Sequence, residues 1–150
     1  MLKNINPLLT PELLYVMAAM GHGDELAVVD ANFPAYSVAR GTTNARVVPM
    51  AGVSLPEAVR AMLSLLPLDE FVDSPVRSMA GGDAPGELPE VQQEVQAVID
   101  AAAGRHWPIG ELKRFAFYEA ARSSYAVVLT GERRFYGNVL IKKGALAPQG

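Results

Sequence analysis

The sequence contains no cysteine, one tryptophan and two histidines. The missing cysteines exclude disulfides, thiolate metal sites, iron–sulfur clusters and cysteine nucleophiles together, which suits a cytoplasmic protein. His22 and His106 are too few for a histidine-rich metal centre, which leaves one His with carboxylates as the remaining composition for a metal site. Charged residues are scarce at 19%, and their balance is −3. Neutralising phosphates calls for a concentrated excess of Lys and Arg, so nucleic acid is not an expected partner. Arg133, Arg134, Lys142 and Lys143 do gather late in the chain, but Glu132 interleaves them and they read as a solvated rim. Long hydrophobic runs are absent too: the longest apolar stretch, residues 13–21, falls well short of the ~20 residues that span a bilayer. The first seven residues carry no apolar core followed by a small-residue cleavage site. Neither membrane insertion nor export is expected. Phosphate-cradling P-loops, a Gly-x-Gly-x-x-Gly turn, a Gly-x-Ser-x-Gly elbow and His-Glu-x-x-His are all missing, which removes the common cofactor-based chemistries.

What is present is apolar. Half of the 150 residues are hydrophobic, enough to build one core and to offset ordering entropy within a single domain, 1–150. With so little charge to keep the surface wet, part of that apolar surface is expected to face other copies of the chain.

Helices and short apolar strands alternate along the sequence. Thr10, Pro11 and Glu12 supply an N-cap, a first-turn proline and an acid, and Leu13, Val16, Met17 and Met20 recur at helical spacing. A helix over 11–20 follows, with Gly21 as its left-handed stop. Residues 25–30 form an apolar run of the kind buried on both sheet faces. Residues 31–44 read mostly as loop, and Val47-Val48 opens a short extended piece. Ser54 and Glu57 make a capping box ahead of the Val59, Met62, Leu63 and Leu66 stripe, which Pro67 ends. Residues 76–80 read as a strand, 81–86 as an exposed loop, 89–103 as a helix closed by Gly104, and 114–122 as a shorter helix. Residues 125–129 and 138–141 are strand-like and joined by a polar turn through Gly131, which points to a hairpin or to neighbouring strands. The alternation indicates an α/β layered domain with helices on both faces of a sheet.

Chemistry must come from His, carboxylates, Tyr and Arg. His22 stands between two glycines, where backbone can approach a ligand closely and an imidazole can both give and take protons near neutrality. A solvated loop histidine is the plainer alternative. Asp30 ends the first expected strand, on the edge where open α/β sheets place ligands, though it also suits an Asx turn before Ala31. Arg114 precedes an aromatic run and by base rate is a surface charge. Tyr136, Gly137 and Asn138 precede a strand; they read equally as a turn or as hydroxyl and amide groups suited to a polyhydroxy ligand. His106 and Trp107 fit loop packing and are left out of the site.

Residues 1–14, Gly21-His22-Gly23-Asp24-Glu25, Asp30-Ala31-Asn32-Phe33-Pro34-Ala35, Arg114-Phe115-Ala116-Phe117-Tyr118-Glu119 and residues 130–138 together resemble the RbsD/FucU family of sugar mutarotases. The likeness covers the first and last forty residues, and the Arg at 114 and the glycine between Tyr136 and Asn138 resemble the L-fucose mutarotase branch rather than the ribose pyranase branch. Asn32 and Tyr36 depart from it, standing where relatives often carry His. The resemblance implies an isomerase that exchanges the α and β anomers of a free reducing sugar, without cofactor or metal. His22 then matches the proton donor, and Asp30, Arg114, Tyr136, Gly137 and Asn138 match substrate-binding positions. It also implies an RbsD-like layered fold, assembled into ring-shaped homodecamers with sites near subunit boundaries. Hemiacetal opening needs one acid and one base, and the expected division gives His22 the ring oxygen and Tyr136, or a water, the anomeric hydroxyl. The alternatives are pyranose/furanose interconversion of the ribose pyranase type, a sugar-binding accessory module without catalysis, and a structural or regulatory oligomer.

Overall fold

A computed structural model describes residues 1–81 and 86–149. The strands are β1 (Glu25–Val29), β2 (Val47–Met50), β3 (Val76–Met79), β4 (Gly110–Leu112), β5 (Ala126–Thr130) and β6 (Val139–Lys142). The helices are α1 (Pro11–Ala19), α2 (Ala35–Ala39), α3 (Leu55–Leu63), α4 (Glu90–Ala103) and α5 (Arg114–Arg122). The strands form one sheet in the order β2-β5-β1-β6-β3-β4. Neighbours pair in parallel except at β6, which runs antiparallel to both β1 and β3. Five strands therefore end on one edge of the sheet, and β6 begins there.

Period-two alternation distributes the apolar strand residues between two layers. Leu26 and Val28 of β1 join Val128, Val139 and Ile141 in a cluster with Leu13, Val16 and Met17 of α1, Leu55, Val59 and Met62 of α3, and Val91, Val95 and Ile99 of α4. Ala27 and Val29 face the other way and pack with Val127, Leu140, Val38 of α2, and Phe117 and Ala121 of α5. Each fully buried Leu or Val contributes about 1.5–3 kcal/mol, so both layers hold the sheet. The expected α/β architecture with helices on both faces is the one observed.

The local signals explain the helix starts. Thr10 Oγ1 accepts the amide of Leu13 at 3.2 Å, and Glu57 takes the Ser54 amide at 3.1 Å and its hydroxyl at 2.7 Å. Gly104 ends α4 in the left-handed region, with φ 70°. At α1 the expected stop is displaced: Met20 is the cap, and the left-handed glycine is Gly23, with φ 87°. Lys143 crosses from the end of β6 to donate to the Met17 and Met20 carbonyls, a long-range cation at the negative end of the helix. It is thus not part of a solvated rim.

Two expectations about the chain path change. Residues 31–44 contain α2, a five-residue helix stabilised by burial of Ala35, Val38 and Ala39 rather than by a local pattern. The strands expected as a hairpin or as neighbours, β5 and β6, lie on opposite sides of β1. All three are apolar on both faces, and the 131–138 segment carries them across the sheet edge instead of turning back on itself. β4 was not expected, and Pro49 is accommodated because β2 is an edge strand. Most of the expected 81–86 loop, residues 82–85, lies outside the described residues.

Candidate active site

At the edge where β1 ends and β6 begins, a cleft of about 350 Å³ is lined by Asp30, Asn32, Phe33, Met79, Arg114, Tyr118, Phe135, Tyr136 and Asn138. The topology explains the convergence: Asp30 follows β1, Met79 ends β3, Arg114 follows β4 and Asn138 precedes β6. This is the carboxyl edge on which open α/β sheets place ligands.

Asp30 and Asn138 are both buried. Asp30 Oδ1 accepts the Asn32 amide at 3.0 Å, and Oδ2 accepts Asn138 Nδ2 at 3.0 Å. Burial nevertheless outweighs these bonds and raises the Asp30 carboxyl above its ordinary value of 3.8. Each carboxylate oxygen retains acceptor capacity toward the cleft. Arg114 Nε donates to the Tyr118 hydroxyl at 3.0 Å, which raises the guanidinium further above its ordinary range. The two Nη groups are its remaining donors. A cation in the first turn of α5 opposes the helix dipole, and the exposed guanidinium lies beside the Phe115 and Tyr118 rings.

Tyr136 is left-handed, with φ 62°, a conformation that is a genuine outlier for a bulky residue. Its ring lies over Gly81, where a Cβ would overlap it. Gly137 sits with its Cα against Asp30 and Glu132, where a side chain would approach Glu132 within 2.8 Å. The loop is pinned from outside. Buried Glu132 receives Arg134 Nε at 2.9 Å, the Arg133 and Arg134 amides at 3.0 Å and the Leu55 amide at 3.2 Å. The Arg134 contact is the chief reason its carboxyl falls from 4.5 to about 2. Arg134 also grips Glu94 of α4 at 2.9 Å through both Nη groups.

The structure thus brings Asp30, Arg114, Tyr136, Gly137 and Asn138 together, and it does not bring His22 to them. His22 lies before β1, next to the end of β6, at the opposite sheet edge. The five steps from Glu25 to Asp30 alone separate the two ends by about 16 Å. His22 Nε2 lies 3.0 Å from Oδ1 of the buried Asp69. That bond is the chief cause that lowers the Asp69 carboxyl below its ordinary value of 3.8. Phe71 packs against the imidazole with the rings tilted by 49° and centroids 5.4 Å apart. Asp69 has no local sequence signal. Phe33 fell in an expected loop, Met79 in an expected strand and Tyr118 in the aromatic run after Arg114, and only the sheet order reveals them as cleft walls. His106 instead pairs with Asp100 at 2.7 Å, and Trp107 is buried, donating to the Asp73 carbonyl at 2.8 Å. Among the described residues no group of three or more His, Asp and Glu side chains is placed to hold a metal ion.

Residues 3–146 match the model of the RbsD / FucU transport protein family. The chain belongs to this family. The fucose mutarotase of Bos taurus is 43% identical over 99% of this chain and 96% of its own length. The L-fucose mutarotase of Actinobacillus pleuropneumoniae is 40% identical over 96% of each chain. The fucose mutarotase of Streptococcus pneumoniae, solved in complex with L-fucose, superposes with a TM-score of 0.86 at 34% identity, covering 97% of this chain and all of that one. RbsD / FucU membership therefore extends through the middle of the chain, where the sequence resemblance had been faint.

Proposed function

We propose that the protein is a sugar mutarotase exchanging the α and β anomers of L-fucose or a closely related aldose. The observation that carries this reading is the cleft itself: a buried anion, a guanidinium, a carboxamide and a phenol converge on a space the size of a monosaccharide. Asp30, Arg114 and Asn138 fix ring hydroxyls by charge-assisted and amide hydrogen bonds, which orients the anomeric carbon. The Tyr136 phenol, or a water held by it, takes the proton of the anomeric hydroxyl while passing one of its own to solvent, and an acid protonates the ring oxygen as the C1–O5 bond opens. Rotation about C1–C2 and reclosure, with the proton transfers reversed, yield the other anomer. Such assistance is typically worth ~10²–10⁴-fold.

His22 is the acid in this scheme, and it belongs to a neighbouring subunit. A head-to-tail contact, repeated around a ring, would seat the His22–Asp69 edge of one subunit against the cleft of the next. Support comes from the exposed aromatics at those two places: Phe71 beside His22 is 81% exposed, and Phe115 and Phe135 near the cleft are each 75% exposed. A cytoplasmic, ring-shaped homodecamer built from one 1–150 domain is the assembly that fits. No helix among the described residues is long and apolar enough to cross a membrane.

The test is anomer exchange by NMR on L-fucose, D-ribose and D-galactose with the purified protein. Acceleration greatest for L-fucose is expected. Exchange at the buffer rate for every sugar would overturn the enzymatic reading.

A further inference from the structure

Position 92 falls on the inward face of α4, among Val91, Val95 and Ile99, where helix packing alone calls for an aliphatic residue. It holds Gln92 instead, with no solvent exposure. Nothing in the family resemblance or in the mechanism above uses it. Its amide is nonetheless engaged on both sides. Nε2 donates to the Met79 carbonyl at 2.8 Å and to the Tyr136 carbonyl at 3.0 Å, and Oε1 accepts the Ser78 hydroxyl at 3.1 Å. One side chain therefore ties the longest helix to the end of β3 and to the left-handed turn at the mouth of the cleft.

The geometry of that turn gives the contact its meaning. A tyrosine with φ 62° returns to ordinary backbone unless the surroundings hold it. Its carbonyl is held by Gln92 and its ring is seated on Gly81. We infer that Gln92 is a positioning residue for Tyr136: it locks the strained carbonyl, and so the direction in which the phenol enters the cleft. This rests on the reading of Tyr136 as the group that moves the anomeric proton. Gln92 touches no sugar and transfers no proton itself.

The experiment compares Gln92→Met, which keeps the volume and removes both donors, in wild-type and Tyr136→Phe backgrounds, with kcat and KM for L-fucose exchange measured on the assembled protein. Gln92→Met is expected to lower kcat about tenfold while changing KM by less than about threefold, since misplacement of a catalytic group acts on the reacting geometry. In the Tyr136→Phe background the same substitution is expected to change kcat by less than about twofold, because coupled residues are not additive. An equal loss in both backgrounds, or an unchanged kcat, overturns the inference and leaves Gln92 as a structural tie. A crystal structure of Gln92→Met separates this from the functional reading. Tyr136 still left-handed with its ring on Gly81 overturns the positioning role whatever the rates, and a relaxed Tyr136 supports it even if the wild type leaves exchange at the buffer rate. Should Gln92→Met fail to fold, Gln92→Glu, which keeps the acceptor for Ser78 and loses the amide donor, carries the same comparison.

Discussion

Asp30 and Asn138 grip each other reciprocally: the Asp30 amide donates to Asn138 Oδ1 at 2.9 Å, and Asn138 Nδ2 returns a bond to Asp30 Oδ2 at 3.0 Å. The pair closes the end of β1 against the start of β6, 108 residues away in sequence. Asn138→Ala leaves a buried amide and a buried carboxylate short of partners. A loss of about 1–3 kcal/mol in unfolding free energy is expected, read by denaturant titration, together with loss of L-fucose binding. Unchanged stability would show that the pair is not a structural clasp.

As the proposed sugar acceptor, Asp30 is expected to make sugar binding depend on pH. Burial raises its carboxyl above 3.8, so the native state holds this proton more readily than the unfolded chain does. The anion thus costs stability above the native value, and that cost lifts as pH falls toward 3.8. Binding runs the opposite way, since only the anion accepts without competing as a donor. Calorimetric affinity for L-fucose is expected to weaken as the solution is acidified through the raised value, and a flat profile there would exclude Asp30 as the acceptor.

Glu132 has the opposite sign. Its carboxyl is depressed from 4.5 to about 2, chiefly by Arg134, so it stabilises the fold fully above 4.5 and loses that contribution between 4.5 and about 2. At most about 3 kcal/mol is involved. Glu132→Gln is expected to lower stability at neutral pH and to flatten the acid limb of a Tm against pH curve. Parallel curves for the two proteins would contradict this assignment.

If each site combines His22 from one subunit with Tyr136 from the next, inactive variants should complement. His22→Ala and Tyr136→Phe are each expected to slow exchange by ~10²-fold or more. Random co-assembly of equal amounts restores about a quarter of wild-type activity, the share of sites in which both contributors are intact. Activity no higher than the mean of the two separate variants would place both groups in one subunit.

Much of the fold was readable because its signals are local. Thr10-Pro11, the Ser54/Glu57 box and Gly104 mark helix ends by hydrogen bonds formed within a few residues. α2 and β4, at five and three residues, are too short to show a period and exist because the sheet buries or pairs them. Strand neighbours were not readable: β1, β5 and β6 are apolar on both faces, and such strands do not encode which partner lies beside them. The site divided in the same way. Asp30, Arg114, Tyr136 and Asn138 each carried a chemical hint, but only the sheet order shows that they meet. His22 and Asp30 were expected in one site through the family resemblance, and the strand that joins them holds them apart within a subunit. Asp69 and Gln92 act across 47 and 44 residues of sequence, a range at which spacing is silent.

The antiparallel strand β6 is the last of the six to be synthesised, yet it is wedged between β1 and β3 near the middle of the sheet. Until it arrives, the β2-β5-β1 and β3-β4 segments have no strand to join them. Folding should therefore be slow for a chain of this size, with the two halves of the sheet unjoined and two sticky strand edges exposed until β6 pairs. In a cell, chaperone demand would then fall on the state in which β6 has not yet paired.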